Sequence, residues 1–255
     1  MHTAGQRMKM NQKIYNVFRF VTGIIFPPRC PICDDLLDEP GELIHDKCER
    51  LLFGINGNCC MHCGRALVLK NMEFCPECHK KRKNHVESFI QGKSLWQYRG
   101  AIKKSMYRFK YSNKREYADY YAAVAAKKYG SWIVQKKIDA IVPVPMYKKK
   151  QRLRGYNQAD IFARALGRRL GIRVYSNGAF RIRDTAPMKQ LSDKERKKNL
   201  QNAFQINKSI VKCSYILLID DIYTTGSTAD AVTKAILQTG VKGVYFLSLC
   251  TGKEI

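Results

Sequence analysis

Acidic residues are scarce: 21 Asp and Glu stand against 46 Lys and Arg, for a formal charge of +25. Such an excess points to a polyanionic partner, nucleic acid first and an acidic membrane surface second. Long apolar runs are also lacking. The longest near the start, Ile14 to Phe26, carries Asn16 and Arg19 and ends at Pro27-Pro28. It is too short and too polar to span a bilayer, and no small-residue cleavage site follows its basic lead-in. Residues 1–28 therefore read as a short amphipathic helix, no transmembrane segment is expected, and the expected compartment is cytoplasmic. Cysteine is nearly absent from the larger part of the chain. Of ten cysteines only Cys213 and Cys250 follow the basic run His79 to Lys83, and both read as small buried hydrophobes.

The other cysteines are concentrated and periodic. Cys30, Cys33, His45 and Cys48 recur thirty residues later as Cys60, Cys63, Cys75 and Cys78, each set having the form C-x2-C-x11-[HC]-x2-C. A C-x2-C pair offers two thiolates to one tetrahedral zinc, and the second pair closes the shell. Leu37 and Leu67 fall in register, as do Ile44 and Phe74, so the apolar skeleton repeats with the ligands. Two consecutive zinc ribbons are expected over residues 29–84, with Cys59 left as a spare thiol. Closed four-donor shells make these two zincs structural, and the metal supplies stability that modules this small cannot draw from a core.

From residue 85 to 255 strand-like and helix-like patterns alternate. Ser88 to Tyr98 reads as a strand, and Ala101 to Lys110 and Tyr117 to Tyr129 as helices. Asp139 to Pro145 is a buried strand closed by prolines. A basic loop follows, with Lys148, Lys149, Lys150, Arg152 and Arg154, then a helix from Ala159 to Leu170. Arg108, Lys110 and Tyr111 interleave cations and aromatics, which suits single-stranded nucleic acid and equally core-facing aromatics beside solvated lysines. The most informative stretch is Ile216 to Thr228. Four aliphatics lead into Asp220 and Asp221, then a turn of Thr224, Thr225, Gly226, Ser227 and Thr228, then a helix to Leu237. A short apolar run of this kind is a strand buried on both faces, as in a parallel sheet. The turn offers hydroxyls and amides to an anion at a helix N-terminus, while the acids suit a diol or a divalent cation.

As written, IDDIYTTGST resembles the ribose-phosphate signature of the type I phosphoribosyltransferases. That resemblance implies a Rossmann-like, mainly parallel sheet in which the acid pair takes the ribose hydroxyls of phosphoribosyl pyrophosphate (PRPP), with Mg2+, and the turn takes its 5′-phosphate. With the zinc ribbons, VPVP, R-x-RGYNQA (Arg152 to Ala159) and this signature in order, the chain resembles the ComF/ComFC family of competence proteins. These are phosphoribosyltransferase-like proteins with an N-terminal zinc finger that act in DNA uptake. The resemblance implies that Arg152, Arg154 and Gln158 face a pyrophosphate, joined by Gln190, Arg196 and Asn199 of a hood. It also implies single-stranded DNA and DNA-uptake or helicase-type proteins as partners. No acid occupies position 224, where purine salvage transferases carry one, and no glutaminase domain is present. Two functions stay open: a DNA-handling protein with a ribose-phosphate pocket, and a Mg2+-dependent phosphoribosyltransferase of unidentified acceptor.

Overall fold

The computed structural model describes residues 27–69, 71–86, 88–183 and 202–252. The expected N-terminal helix and the hood residues Gln190, Arg196 and Asn199 lie outside them. The chain divides into two compact units, one ending at Arg50 and the other beginning at Leu51. In the first, the Cys30–Cys33 knuckle leads to a short helix, α1 (Asp46–Glu49). In the second, the Cys60–Cys63 knuckle leads to α2 (Pro76–Lys83), and the sheet follows.

Five parallel strands make that sheet: β1 (Gly92–Gln97), β2 (Ala140–Pro143), β3 (Arg173–Val174), β6 (Tyr215–Tyr223) and β7 (Gly243–Thr251), in the order β1-β7-β6-β2-β3. A separate antiparallel pair joins β4 (Ala179–Arg181) to β5 (Phe204–Ile206). The mainly parallel α/β architecture behind a double zinc ribbon is thus as the sequence indicates. Strand β6 is central, and Ile216, Leu217, Leu218 and Ile219 are wholly buried. All nine residues of β7 are buried, as expected of a strand covered on both faces.

The chain after β2 passes through α5 (Lys148–Arg154) and α6 (Gln158–Leu170) to β3, whereas the chain after β6 passes through α7 (Ser227–Leu237) to β7. The two crossovers leave in opposite directions along the sheet, and right-handed connections then set α6 and α7 on opposite faces. Side-chain alternation agrees: Val142, Ile216, Leu218 and Phe246 share a cluster with Ala229, Val232 and Ile236 of α7. On the other side, α6 packs against α4 (Tyr117–Gln135), which follows α3 (Ala101–Tyr111). A doubly wound sheet opens a crevice at the carboxyl ends of the strands where its direction switches. Here the direction switches between β2 and β6, which is where such a crevice is expected.

Three local expectations are revised. The basic segment Lys148–Arg154 is a helix and not a loop, because Lys, Gln, Leu and Arg are all good helix formers and Gly155 (φ 85°) ends the run in the left-handed region. Asp220 and Asp221 lie inside β6, which continues to Tyr223 through pairing with β7. Cys213 is half-buried, unlike the fully buried Cys250.

Candidate functional site

The two knuckles share their backbone hydrogen bonds. Cys30 N–H donates to Asp35 O (2.8 Å) and Cys60 N–H to Arg65 O (2.7 Å), while Asp34 and Gly64 each donate back to the first cysteine carbonyl (2.9 Å). Both of those residues hold φ at 71°. In each ribbon the four donor atoms lie within 4.8 Å of one another. The Sγ atoms of Cys63 and Cys75 are 3.8 Å apart, the spacing two thiolates take on a tetrahedral zinc with Zn–S of about 2.3 Å. In the first ribbon His45 Nδ1 is 3.4 Å from Cys33 Sγ and 3.9 Å from Cys48 Sγ. Its Nε2 lies 2.9 Å from Leu36 O and donates to it, which leaves the Nδ1 lone pair for a metal. No pairing of cysteines competes, since every one is a free thiol. Both donor sets fit structural zinc.

The second shell is backed by residues that sequence reading did not single out. Arg65, only 2% exposed, donates from Nη1 to Glu77 Oε2 (3.2 Å) and from Nη2 to the carbonyl of Thr224. Its guanidinium also sits 5.9 Å from the centroid of the Tyr223 ring. Lys81 of α2 pairs with Asp230 at 2.5 Å and lies 3.4 Å from the Tyr223 hydroxyl. Ser88 Oγ donates to the other oxygen of Asp230. A side chain at Gly226 would collide with the Tyr223 hydroxyl and Lys81 Nζ. The glycine is required both by this packing and by its φ of 80°.

At the crevice, Gly226 caps α7, and Thr225 Oγ1 and Ser227 Oγ lie 3.0 Å apart. Thr224 is exposed, and Thr225, Ser227 and Thr228 are partly so. Asp220 Oδ1 accepts the Asp221 N–H at 2.8 Å. Desolvation, then the charge of Asp221, pushes the Asp220 carboxyl up to about 7, although Lys110 and Arg181 oppose the shift. Lys110 Nζ is 2.8 Å from Asp221 Oδ2, with both side chains 17% exposed. Lys110 thus turns inward to the acids and does not present its charge outward among the aromatics. On the β2 side, Asn157 donates to Val144 O (2.9 Å) and caps α6 by accepting from Ala159 N–H (3.1 Å). Arg154 donates to Gln158 Oε1 (2.7 Å), lies 3.3 Å from the Tyr111 hydroxyl and stacks 4.8 Å from that ring's centroid. Arg152 is exposed on α5. Adjacent residues of α3 therefore join the two sides, Lys110 reaching the acid pair and Tyr111 reaching Arg154. Tyr107 and Tyr111 are both more than 60% exposed and stand 5.0 Å apart.

Arg65 and Lys81 escape sequence reading because buried cations look like solvated ones along a chain. One signal was available in the repeat itself. Positions 65 and 77 hold Arg and Glu, whereas their counterparts 35 and 47 hold Asp and Lys, an inverted charge pair in an otherwise regular repeat.

Residues 21–79 match the family model for a double zinc ribbon domain. The chain is 34% identical over 197 residues to competence protein F of Haemophilus influenzae, covering 74% of this chain and 83% of that protein. It is 29% identical over 209 residues to the DNA utilization protein YhgH of Salmonella typhimurium (75% and 89%). It is 26% identical over 225 residues to competence protein ComFC of Bacillus subtilis (83% and 89%).

Proposed function

Because the chain belongs to the ComF/ComFC family of competence proteins, we propose that it acts in DNA uptake and holds a ribosyl phosphate, PRPP or a relative, at the crevice between β2 and β6. The observation that carries this reading is the meeting, at one topological switch point, of an acid pair, a glycine-led turn opening α7 and a basic α5–α6 corner. Asp220 and Asp221 take the ribose hydroxyls. Thr224, Thr225, Gly226, Ser227 and Thr228 take the 5′-phosphate, which gains from amides and the helix dipole. Arg152, Arg154 and Gln158 take the pyrophosphate side. Asp221 is paired with Lys110, so any Mg2+ would be held chiefly by the ligand's pyrophosphate, whose charge it would offset. Among the described residues no helix is long and apolar enough to cross a membrane.

Single-stranded DNA is the polyanion that the +25 charge and the exposed Tyr107–Tyr111 pair suit best. Bases stack on aromatic faces while lysines and arginines neutralise phosphates, and such binding weakens steeply with salt. A second reading, phosphoribosyl transfer, in which an acceptor attacks the anomeric carbon and pyrophosphate leaves, draws on the Asp220 carboxyl beside Asp221, which desolvation pushes up to about 7. Titration of the protein with PRPP and Mg2+, with pyrophosphate release assayed against bases and amines, tests both readings. Turnover abolished by Asp221→Asn supports the enzyme. Binding without turnover, together with salt-sensitive DNA binding indifferent to that change, supports the DNA-handling protein. No PRPP binding at all removes the pocket from both.

A further inference from the structure

The carbonyl of Thr224 is held from the zinc-ribbon side by Arg65 Nη2. Thr224 C=O and Thr225 N–H belong to one peptide unit, and no peptide bond in the described chain is cis. In a trans unit the carbonyl and the amide point in opposite directions. Fixing that carbonyl toward the ribbon therefore fixes the Thr225 N–H away from it. Arg65 is itself held in place. Its Nη1 donates to Glu77 Oε2 at 3.2 Å, and it is almost wholly buried. When zinc is bound, a four-thiolate shell carries net negative charge, so it strengthens the hold on a guanidinium beside it. Two further ties run from the same module to the elements on either side of the turn, Lys81 to Asp230 of α7 and Lys81 to Tyr223 of β6.

We propose that Arg65 is a positioning residue for the phosphate-binding turn, so that the second zinc ribbon is a working part of the ribosyl-phosphate site. This rests on the pocket reading above for its ligand, but not for the contact itself. The ribbon orients the first amide that an incoming phosphate meets. Glutamine at position 65 can neither supply the charge nor bridge Glu77 and Thr224 together, and lysine can do so only in part.

The test uses the full chain as Arg65→Gln and Arg65→Lys, with zinc content, backbone amide order parameters of Thr224 to Ser227, and affinity for ribose 5-phosphate measured together. In the wild-type protein the turn is expected to be rigid, with order parameters of about 0.85. In Arg65→Gln, still holding two zincs, they fall below about 0.6 and ribose 5-phosphate binds roughly tenfold more weakly, the size of a lost charge-assisted hydrogen bond. Arg65→Lys lies between. A zinc-loaded Arg65→Gln protein with an unchanged turn and unchanged affinity overturns the proposal. Should Arg65→Gln fail to fold or lose its zinc, the lysine variant decides, and wild-type rigidity with wild-type affinity there counts against it. If the wild-type protein binds no ribose 5-phosphate, the pocket reading fails by itself, and the order parameters still judge Arg65.

Discussion

The two zinc ribbons share spacing, backbone hydrogen bonds and a left-handed residue after the second cysteine, yet their surroundings differ. In the first, Asp34 occupies that left-handed position, and His45 is steadied within its own module by Leu36 O. In the second, the equivalent residue is Gly64, where a Cβ would run into the backbone of Gly92 and Lys93 on β1. Cys60, Cys63, Cys75 and Cys78 share one apolar cluster with Phe89, Tyr223 and Phe246 of the sheet unit. One sequence pattern thus gives a clip within a small unit in one place and part of a larger unit's core in another. The difference comes from the residues between the ligands.

The comparison can be broken or sharpened in four ways. The largest effect is expected from Cys75→Ser set against Cys48→Ser. The first should lose one zinc and destabilise residues 51–252 by about 3 kcal/mol or more, since a buried shell is opened within a core. The second should lose one zinc and leave the main unfolding transition within about 0.5 kcal/mol. Thermal melts with metal analysis measure both, and equal losses would erase the distinction.

Next, Lys81→Met removes a pair in which both side chains are 13% exposed and leaves Asp230 with Ser88 alone. A cost of about 1–3 kcal/mol is expected. Lys47→Met, at an exposed position of the first ribbon, should stay within about 0.5 kcal/mol. Denaturant titration of the two variants side by side measures the contrast.

A third effect is a pH dependence centred on the crevice. Asp220 is raised from 3.8 to about 7 in the folded protein, so the fold keeps a proton that the unfolded chain releases between those values. This contribution is complete below about pH 4 and is lost as pH rises through about 7. Asp220→Asn should therefore raise Tm relative to wild type at pH 8 and lose that advantage toward pH 4. Taking the difference between variant and wild type cancels the proton dependence of the ribbon thiols, and a flat difference would show that the carboxyl is not desolvated. The smallest effect is expected from His45→Cys, which makes the first shell all-cysteine like the second. It should retain zinc, with only a spectral change on cobalt substitution. Loss of the metal there would mean that His45 serves by more than ligation.

Much of this was legible along the chain, and particular residues show why. The ligand spacing was readable because a zinc shell is built from local knuckles joined by a fixed interval. The Ile216–Ile219 strand was readable because a run without alternation is buried on both faces. Lys110 was misread among outward cations because position on α3 gives its neighbours along the chain, and Asp221 is not one of them. Asp220 and Asp221 were placed after the strand and lie within it, since pairing with β7 extends β6 to Tyr223.

The sequence by itself determined the two metal sites, the parallel sheet and the turn that opens α7, because each is specified by contacts near in the chain or by a buried pattern. Only the tertiary structure decided that Arg65 of a zinc ribbon holds the turn opening α7, that Lys81 holds its flanks at Tyr223 and Asp230, and that Lys110 answers the acid pair. Those contacts join positions more than a hundred residues apart, and burial alone gives a lysine or arginine one partner out of many.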